Sequence, residues 1–270
     1  MVKKNTHQKL STKIKKEKAL KRLNTRLCDM IDQGTHWGHK PLRNSWRRLS
    51  YPGMATAFLG NRKDVQIIDP AKTLQATIHG LYFAALVLRN NGRILIADTR
   101  EEFSPINYIF TSNVSNVSNS LSGTGKRWIA GTLTNWQTIS PRISEYGYIS
   151  SIFKNNVKEL KVHSPRFVKM RNAFPGLIGT TNLSIGFLNQ PRLKFQKRPD
   201  LVIVCQPEEN HTLIREAARL KIPVLAFVDS NSSLDHITYP IPVNTENHNW
   251  IYYCLNLLVR LANALNKMSS

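Results

Sequence analysis

Residues 199–229 read PDLVIVCQPEENHTLIREAARLKIPVLAFVD, and this stretch decides the fold. Leu201–Cys205 is a short apolar run without polar alternation, the pattern of a strand covered on both faces. Glu208 and Glu209 sit where a helix N-terminus favours negative charge, and Leu213, Ile214, Ala217, Ala218 and Leu220 then recur at helical spacing. Lys221 and Pro223 mark the stop, and Val224–Val228 reads as a second buried strand. Strand, amphipathic helix and parallel strand make a right-handed crossover unit. The expected fold class is therefore α/β: a Rossmann-like layered fold with a mostly parallel sheet flanked by helices.

Outward from this unit the same pattern recurs. Val65–Ile68 reads as a short strand, and Asp69-Pro70 opens a helix whose apolar stripe is Leu74, Ile78, Leu81, Ala85 and Leu88, ended by Gly92. Ile94–Ala97 is another buried-type strand, with Asp98 at its end. Ser104–Gly125 is Ser/Asn-rich and reads as an irregular loop where the pattern wants a helix; Lys126–Ile129 is expected to resume as a strand. Ile251, Cys254, Leu258, Leu261 and Leu265 define a terminal amphipathic helix that should pack on the sheet. Leu27–Gln33 suits a short helix closed by Gly34. Across residues 137–197, Pro141, Pro165, Pro175 and Pro191 exclude a long uninterrupted helix, although Ile149, Phe153, Val157 and Leu160 suit a short one. The chain divides into a basic N-terminal arm (1–26), a first part of the α/β domain (27–136), a basic inserted segment (137–197), and a second part with the terminal helix (198–270).

The formal net charge of +21 is unevenly spread. Residues 1–26 hold ten Lys/Arg against Glu17 alone, and residues 137–197 hold ten against two. Residues 27–136 carry twelve against seven, whereas residues 198–270 carry six against seven. The crossover half is neutral, and the excess sits on an arm and a middle segment, as a polyanion-binding face requires. The arm, which includes Lys13, Lys15 and Lys16, reads as unstructured or as a helix ordered only by a partner. A transit peptide is also acid-poor but favours Arg and Ser over Lys. No apolar run approaches the roughly eighteen residues of a membrane span, so no membrane partner is expected. Cys28, Cys205 and Cys254 are far apart in apolar contexts and read as buried free thiols.

A doubly wound core invites a nucleotide, but no Gly-x-Gly-x-x-Gly follows a strand and no Gly-x4-Gly-Lys-Ser/Thr occurs. Asp98 and Asp229 fall at strand ends, where a carboxylate caps a turn more often than it catalyses. His36 and His39 have chelating spacing but no second Cys or His pair beside them, so no metal is expected. The better reading is a turn in which Gly34 and Gly38 bend the backbone and the rings of His36, Trp37 and His39 lie beside Lys40 and Arg43. Arg47 and Arg48 follow, with Trp46, in a loop-like setting. Arg62-Lys63 and Lys126-Arg127-Trp128 each place a basic pair beside a strand, near Asn135 and Trp136 in the second case. Cations, rings and close backbone together fit RNA, where stacking and sugar–phosphate contacts dominate. Trp128 reads equally well as core.

Four motifs in chain order carry a family resemblance: Gly34-Thr-His-Trp-Gly-His39, Gly60-Asn-Arg-Lys-Asp-Val-Gln-Ile-Ile-Asp-Pro-Ala-Lys-Thr73, Arg127-Trp-Ile-Ala-Gly-Thr-Leu-Thr-Asn-Trp136, and Arg198-Pro-Asp with Ile222-Pro-Val-Leu-Ala-Phe-Val-Asp-Ser-Asn231 and Ile241-Pro-Val-Asn244. Over residues 27–265 the chain resembles the bacterial and organellar family of small ribosomal subunit protein two. The resemblance implies a non-enzymatic structural constituent of the small subunit, without cofactor, binding small-subunit rRNA and neighbouring ribosomal proteins and not itself a homo-oligomer. It implies an rRNA-facing or loop-shaping role for His36, Trp37, His39, Arg62, Lys63, Arg127, Trp128, Asn135 and Trp136. The chain departs from the family where members carry a helix (here the Ser/Asn-rich stretch) and a helical hairpin (here 137–197). With the Lys-rich arm, that drift points to a mitochondrial ribosome rather than a plastid or bacterial one. The different-class alternative is a doubly wound enzyme acting on RNA or nucleotides.

Overall fold

The computed structural model describes residues 25–38, 52–63, 65–99, 120–124, 128–145, 178–180, 191–193 and 197–269. The arm, most of Ser104–Gly125 and the expected helix around Ile149–Leu160 lie outside these residues. In chain order the elements are α1 (residues 25–32), β1 (Phe58–Arg62), β2 (Val65–Ile68), α2 (Pro70–Arg89), β3 (Ile94–Ala97), β4 (Leu121–Gly123) and α3 (residues 136–145). There follow β5 (Ile178–Thr180), β6 (Pro191–Leu193), β7 (Leu201–Val204), α4 (His211–Arg219), β8 (Val224–Val228), β9 (Tyr239–Pro242) and α5 (His248–Ser269). A 3-10 turn, Pro52–Ala57, precedes β1.

The central sheet has the order β4-β3-β7-β8-β9 and every pairing in it is parallel. Its strands β3, β7 and β8 are apolar without alternation because both faces are covered. Ile94, Ile96, Ile203, Leu225, Phe227 and Ile241 point to one face, against α2 and α5. Leu95, Ala97, Val202, Val204, Ala226 and Val228 point to the other, against α3, α4 and the 3-10 turn. Burial of each such side chain is worth roughly 1.5–3 kcal/mol, so the sheet is the principal source of stability. β1 and β2 form a separate antiparallel hairpin, as do β5 and β6. Among the described residues no helix is long and apolar enough to cross a membrane.

Three expectations are corrected. The strand beside β3 is Leu121–Gly123, within the stretch read as loop, and Trp128 and Ile129 lie outside any strand. Three residues centred on Ser122 give no apolar run to read; pairing with β3 makes this a strand. Cys28 is exposed, on a helix whose only buried residue is Met30, while Cys205 and Cys254 are buried. Burial pushes the Cys254 thiol well above its ordinary range, which leaves it inert.

The third correction concerns α2. Its start is as expected: Asp69 caps it, accepting the Ala71 N–H at 2.9 Å, with Pro70 in the first position. Of the expected stripe, Leu74 and Leu81 pack against the core and Leu88 is buried, but Ile78 is 50% exposed, and the fully buried face is Thr73, Thr77, Gly80, Ala84 and Leu88. A small-residue face lets the helix backbone approach the sheet. A Cβ on Gly80 would lie 2.7 Å from Leu225 Cδ1. The threonines are tolerated inside because they are bonded: Thr73 Oγ1 donates to Pro242 O at 2.6 Å, and Trp250 Nε1 donates to Thr77 Oγ1 at 3.3 Å. On α5, Ile251, Cys254 and Leu258 are buried as expected, but Leu261 is 38% exposed.

Gly80→Val should therefore cost about 1–3 kcal/mol through overpacking. Ile78→Ala should stay within about 0.5 kcal/mol. Urea unfolding of both variants checks the orientation of α2; the reverse ranking would show that Ile78 faces the sheet.

Candidate nucleic-acid interface

The loop Gly131-Thr-Leu-Thr-Asn-Trp136 leaves the sheet region with backbone donors that need partners. They converge on one side chain of α4. Glu216, 6% exposed, accepts the Gly131 N–H (2.6 Å) and the Trp128 Nε1–H (3.2 Å) on Oε1. Its Oε2 accepts the N–H groups of Leu133 (2.9 Å) and Thr134 (3.4 Å). Leu133 and Trp136 are buried among Ile143, Leu213 and Ala217. Gly131 takes φ +89, a left-handed conformation that glycine adopts without strain. Asn135 is exposed at the start of α3: its carbonyl accepts from Thr138 and Ile139, and its Oδ1 accepts the Thr138 hydroxyl at 2.8 Å. Arg198 Nη2 donates to Thr134 O at 3.1 Å, bringing a cation onto the outer side of the loop.

The Gly34–Gly38 turn is stitched to two neighbours. Ile68 N–H donates to His36 O and Gly38 N–H to Gln66 O, both at 2.8 Å, so the segment lies along β2. Asn244 N–H, after β9, donates to Thr35 O at 3.0 Å. Position 38 is tight, since a Cβ there would sit 3.0 Å from Gln66 O and 3.1 Å from Ser230 Oγ. Trp37 stays 38% exposed, its ring 4.9 Å from that of His36. Burial holds His36 below the ordinary histidine value of 6.5, so near pH 7 its ring is neutral. It can stack and hydrogen-bond there, but it is not a cation for phosphate.

Arg62 and Lys63 are both exposed at the tip of the β1–β2 hairpin, where Lys63 takes φ 50. Trp128 is half-buried and tied to Glu216, and Trp136 is 5% exposed within the core. Lys13, Lys15, Lys16, His39, Lys40, Arg43, Arg47, Arg48, Lys126 and Arg127 lie outside the described residues. Glu216 was missed from sequence. It occupies a position on a helix where a carboxylate ordinarily faces solvent, and only its three-residue offset from Leu213 hinted at the buried side.

Two further carboxylates are committed to structure. Asp229 is fully buried, with Oδ1 accepting Ser230 N–H at 2.6 Å and Oδ2 accepting Thr245 N–H at 2.9 Å. It thereby holds the loop whose neighbouring Asn244 braces the Gly34–Gly38 turn. Where the strand order reverses, between β3 and β7, Glu209 Oε2 accepts the Thr99 hydroxyl at 2.6 Å and Asn210 is fully buried. A Gly-rich phosphate cradle is replaced by two glutamates, which repel phosphate from the start of α4. Among the described residues no cluster of three or more His, Cys, Asp and Glu could hold a metal.

Glu216→Ala should strand several buried donors and cost about 3 kcal/mol or more, with faster amide exchange at Gly131, Leu133 and Thr134. Glu216→Gln keeps the size but turns an NH2 towards N–H donors, and should remain well short of wild type. For His36, the unfolded chain takes up a proton below pH 6.5 that the folded chain refuses. Stability should therefore fall as pH drops through 6.5 towards the lowered folded value, and His36→Gln should remove that component of the slope.

Comparison with known proteins agrees with the four motifs. The family model described as ribosomal protein S2 matches residues 30–264. The small ribosomal subunit protein uS2 of Rickettsia bellii (strain OSU 85-389) is 30% identical over 227 residues, covering 84% of this chain and 72% of the relative. The small ribosomal subunit protein uS2 of Rickettsia massiliae (strain Mtu5) is 28% identical over 219 residues, covering 81% and 68%. With a family match across most of its length and a parallel sheet bearing the Glu216-locked loop, the chain belongs to the ribosomal protein S2 family.

Proposed function

We propose that this protein is a structural constituent of the small ribosomal subunit that binds small-subunit rRNA and neighbouring ribosomal proteins, and that it performs no catalysis. The observation that carries the reading is the family match over residues 30–264, the same stretch that holds the braced turns. Chemically, the exposed groups divide by role. Arg62 and Lys63 on the hairpin offer phosphate contacts, exposed Trp37 with neutral His36 offers a stacking surface, and Asn135 with Arg198 offers hydrogen bonds on the outer side of the loop. Trp128 and Trp136 shape the loop rather than face RNA. The lysines of the arm and the cations Lys40, Arg43, Arg47, Arg48, Lys126 and Arg127 offer further positive charge to phosphate. Lys-rich composition of the arm, together with departures from the family pattern at 104–125 and 137–197, supports a mitochondrial ribosome as its site.

An enzyme on the same fold is disfavoured by the switch point. It holds glutamates in place of a phosphate loop, and Asp229 has both carboxylate oxygens occupied.

Sedimentation of lysed organelles at low and high salt tests this. The protein should travel with the small subunit, and the association should weaken as salt rises, because phosphate contacts release counterions. Arg62→Glu with Lys63→Glu should reduce association about tenfold or more, equivalent to ~1.4 kcal/mol, at unchanged melting temperature. Trp136→Ala should lower both together, as a core truncation costing about 3–5 kcal/mol does. A free pool indifferent to salt would overturn the proposal.

A further inference from the structure

The face of α2 turned away from the sheet is apolar. Ile78, Tyr82 and Leu86 are 50%, 66% and 38% exposed. Spaced four residues apart, they form one stripe about 12 Å long, a little over two helical turns. The fold does not use these side chains, since α2 packs through Thr73, Thr77, Gly80, Ala84 and Leu88. Formal charge on this helix has one sign: its twenty residues include Lys72, whose ammonium also donates to Thr56 O, and Arg89, and no carboxylate. The twenty-two residues of α5, which packs beside it, contain no carboxylate either.

We propose that the Ile78–Tyr82–Leu86 face of α2 is the docking surface for an amphipathic helix of another protein, one that brings aspartates or glutamates to flank its own apolar stripe. The inference rests on the ribosomal reading and adds to it a surface away from the rRNA-facing turns. Charge selects the occupant. A second copy of this chain would oppose the same cations without a carboxylate on either helix. The chain's own arm, with ten Lys/Arg against Glu17, would be repelled in the same way. RNA would answer the cations but gains little from two aliphatic side chains at the centre of the face. A carboxylate-flanked helix satisfies both the stripe and its rim.

The test replaces Tyr82 by a photoreactive benzoylphenylalanine in the full-length chain, isolates assembled small subunits on a gradient, and irradiates them. The expected product is a crosslink to a ribosomal protein peptide with apolar residues at three- to four-residue spacing and flanking Asp or Glu. A crosslink to rRNA, to a second copy or to the chain's own arm, or no crosslink, overturns the proposal. Ile78→Glu with Leu86→Glu, both at exposed positions, should leave the melting temperature unchanged and reduce the crosslink at least tenfold; an undiminished crosslink also overturns it. If the wild-type chain is absent from small subunits altogether, the ribosomal reading itself fails. If it is present but crosslinks only to rRNA, this inference fails alone.

Discussion

A carboxylate on the crossover helix governs how this protein presents its signature loop. Glu216 is buried and accepts from three backbone amides and one indole. Charge-assisted bonds of this kind are stronger than neutral ones, and an uncompensated buried carboxylate would be costly. The loop and the glutamate therefore stabilise each other, and each is unfavourable without its partner. Through them the α4 helix determines where Asn135 begins α3 and where Trp136 enters the core.

Asp229 does the same work on the other side of β8. It gathers Ser230 and Thr245, and the adjoining Asn244 braces the turn that exposes Trp37. Asp229, which resembles a catalytic candidate when seen at a strand end, and Glu216, inside its helix, are thus internal braces. Their oxygens are occupied by hydrogen bonds of the protein's own chain. The positions from which such folds hold phosphates are filled with glutamate and asparagine, and basic groups are carried on turns and a hairpin at the periphery.

The elements that were legible share a physical cause. Val224–Val228 and Ile94–Ala97 begin and end where read, because continuous apolar runs bounded by turn residues have few alternatives, and Val65–Ile68 does so too, although Gln66 interrupts it. Asp69-Pro70 is a local cap, decided by its own backbone and side chain. β4 was not legible, since Leu121–Gly123 becomes a strand only by pairing with β3. On α2 the stripe was legible in part: Leu74, Leu81 and Leu88 do meet the core, but Ile78 is exposed, and Gly80 with the bonded threonines makes the closest approach of helix to sheet.

By itself, then, the sequence determined the layered α/β class, the crossover unit, the segregation of charge and the family, since each rests on short-range periodicity, composition or contiguous motifs. Tertiary structure alone decided that α2 meets the sheet most closely through Gly80 and its threonines, that Trp136 fills core, and that Glu216 faces inward. Those outcomes depend on partners 80 or more residues away in the chain, as the Glu216–Leu133 and Thr73–Pro242 bonds are. No local pattern encodes such contacts, so the stretch from Pro199 to Asp229 reveals the frame, while its most consequential side chain is recognised only once the loop has folded against it.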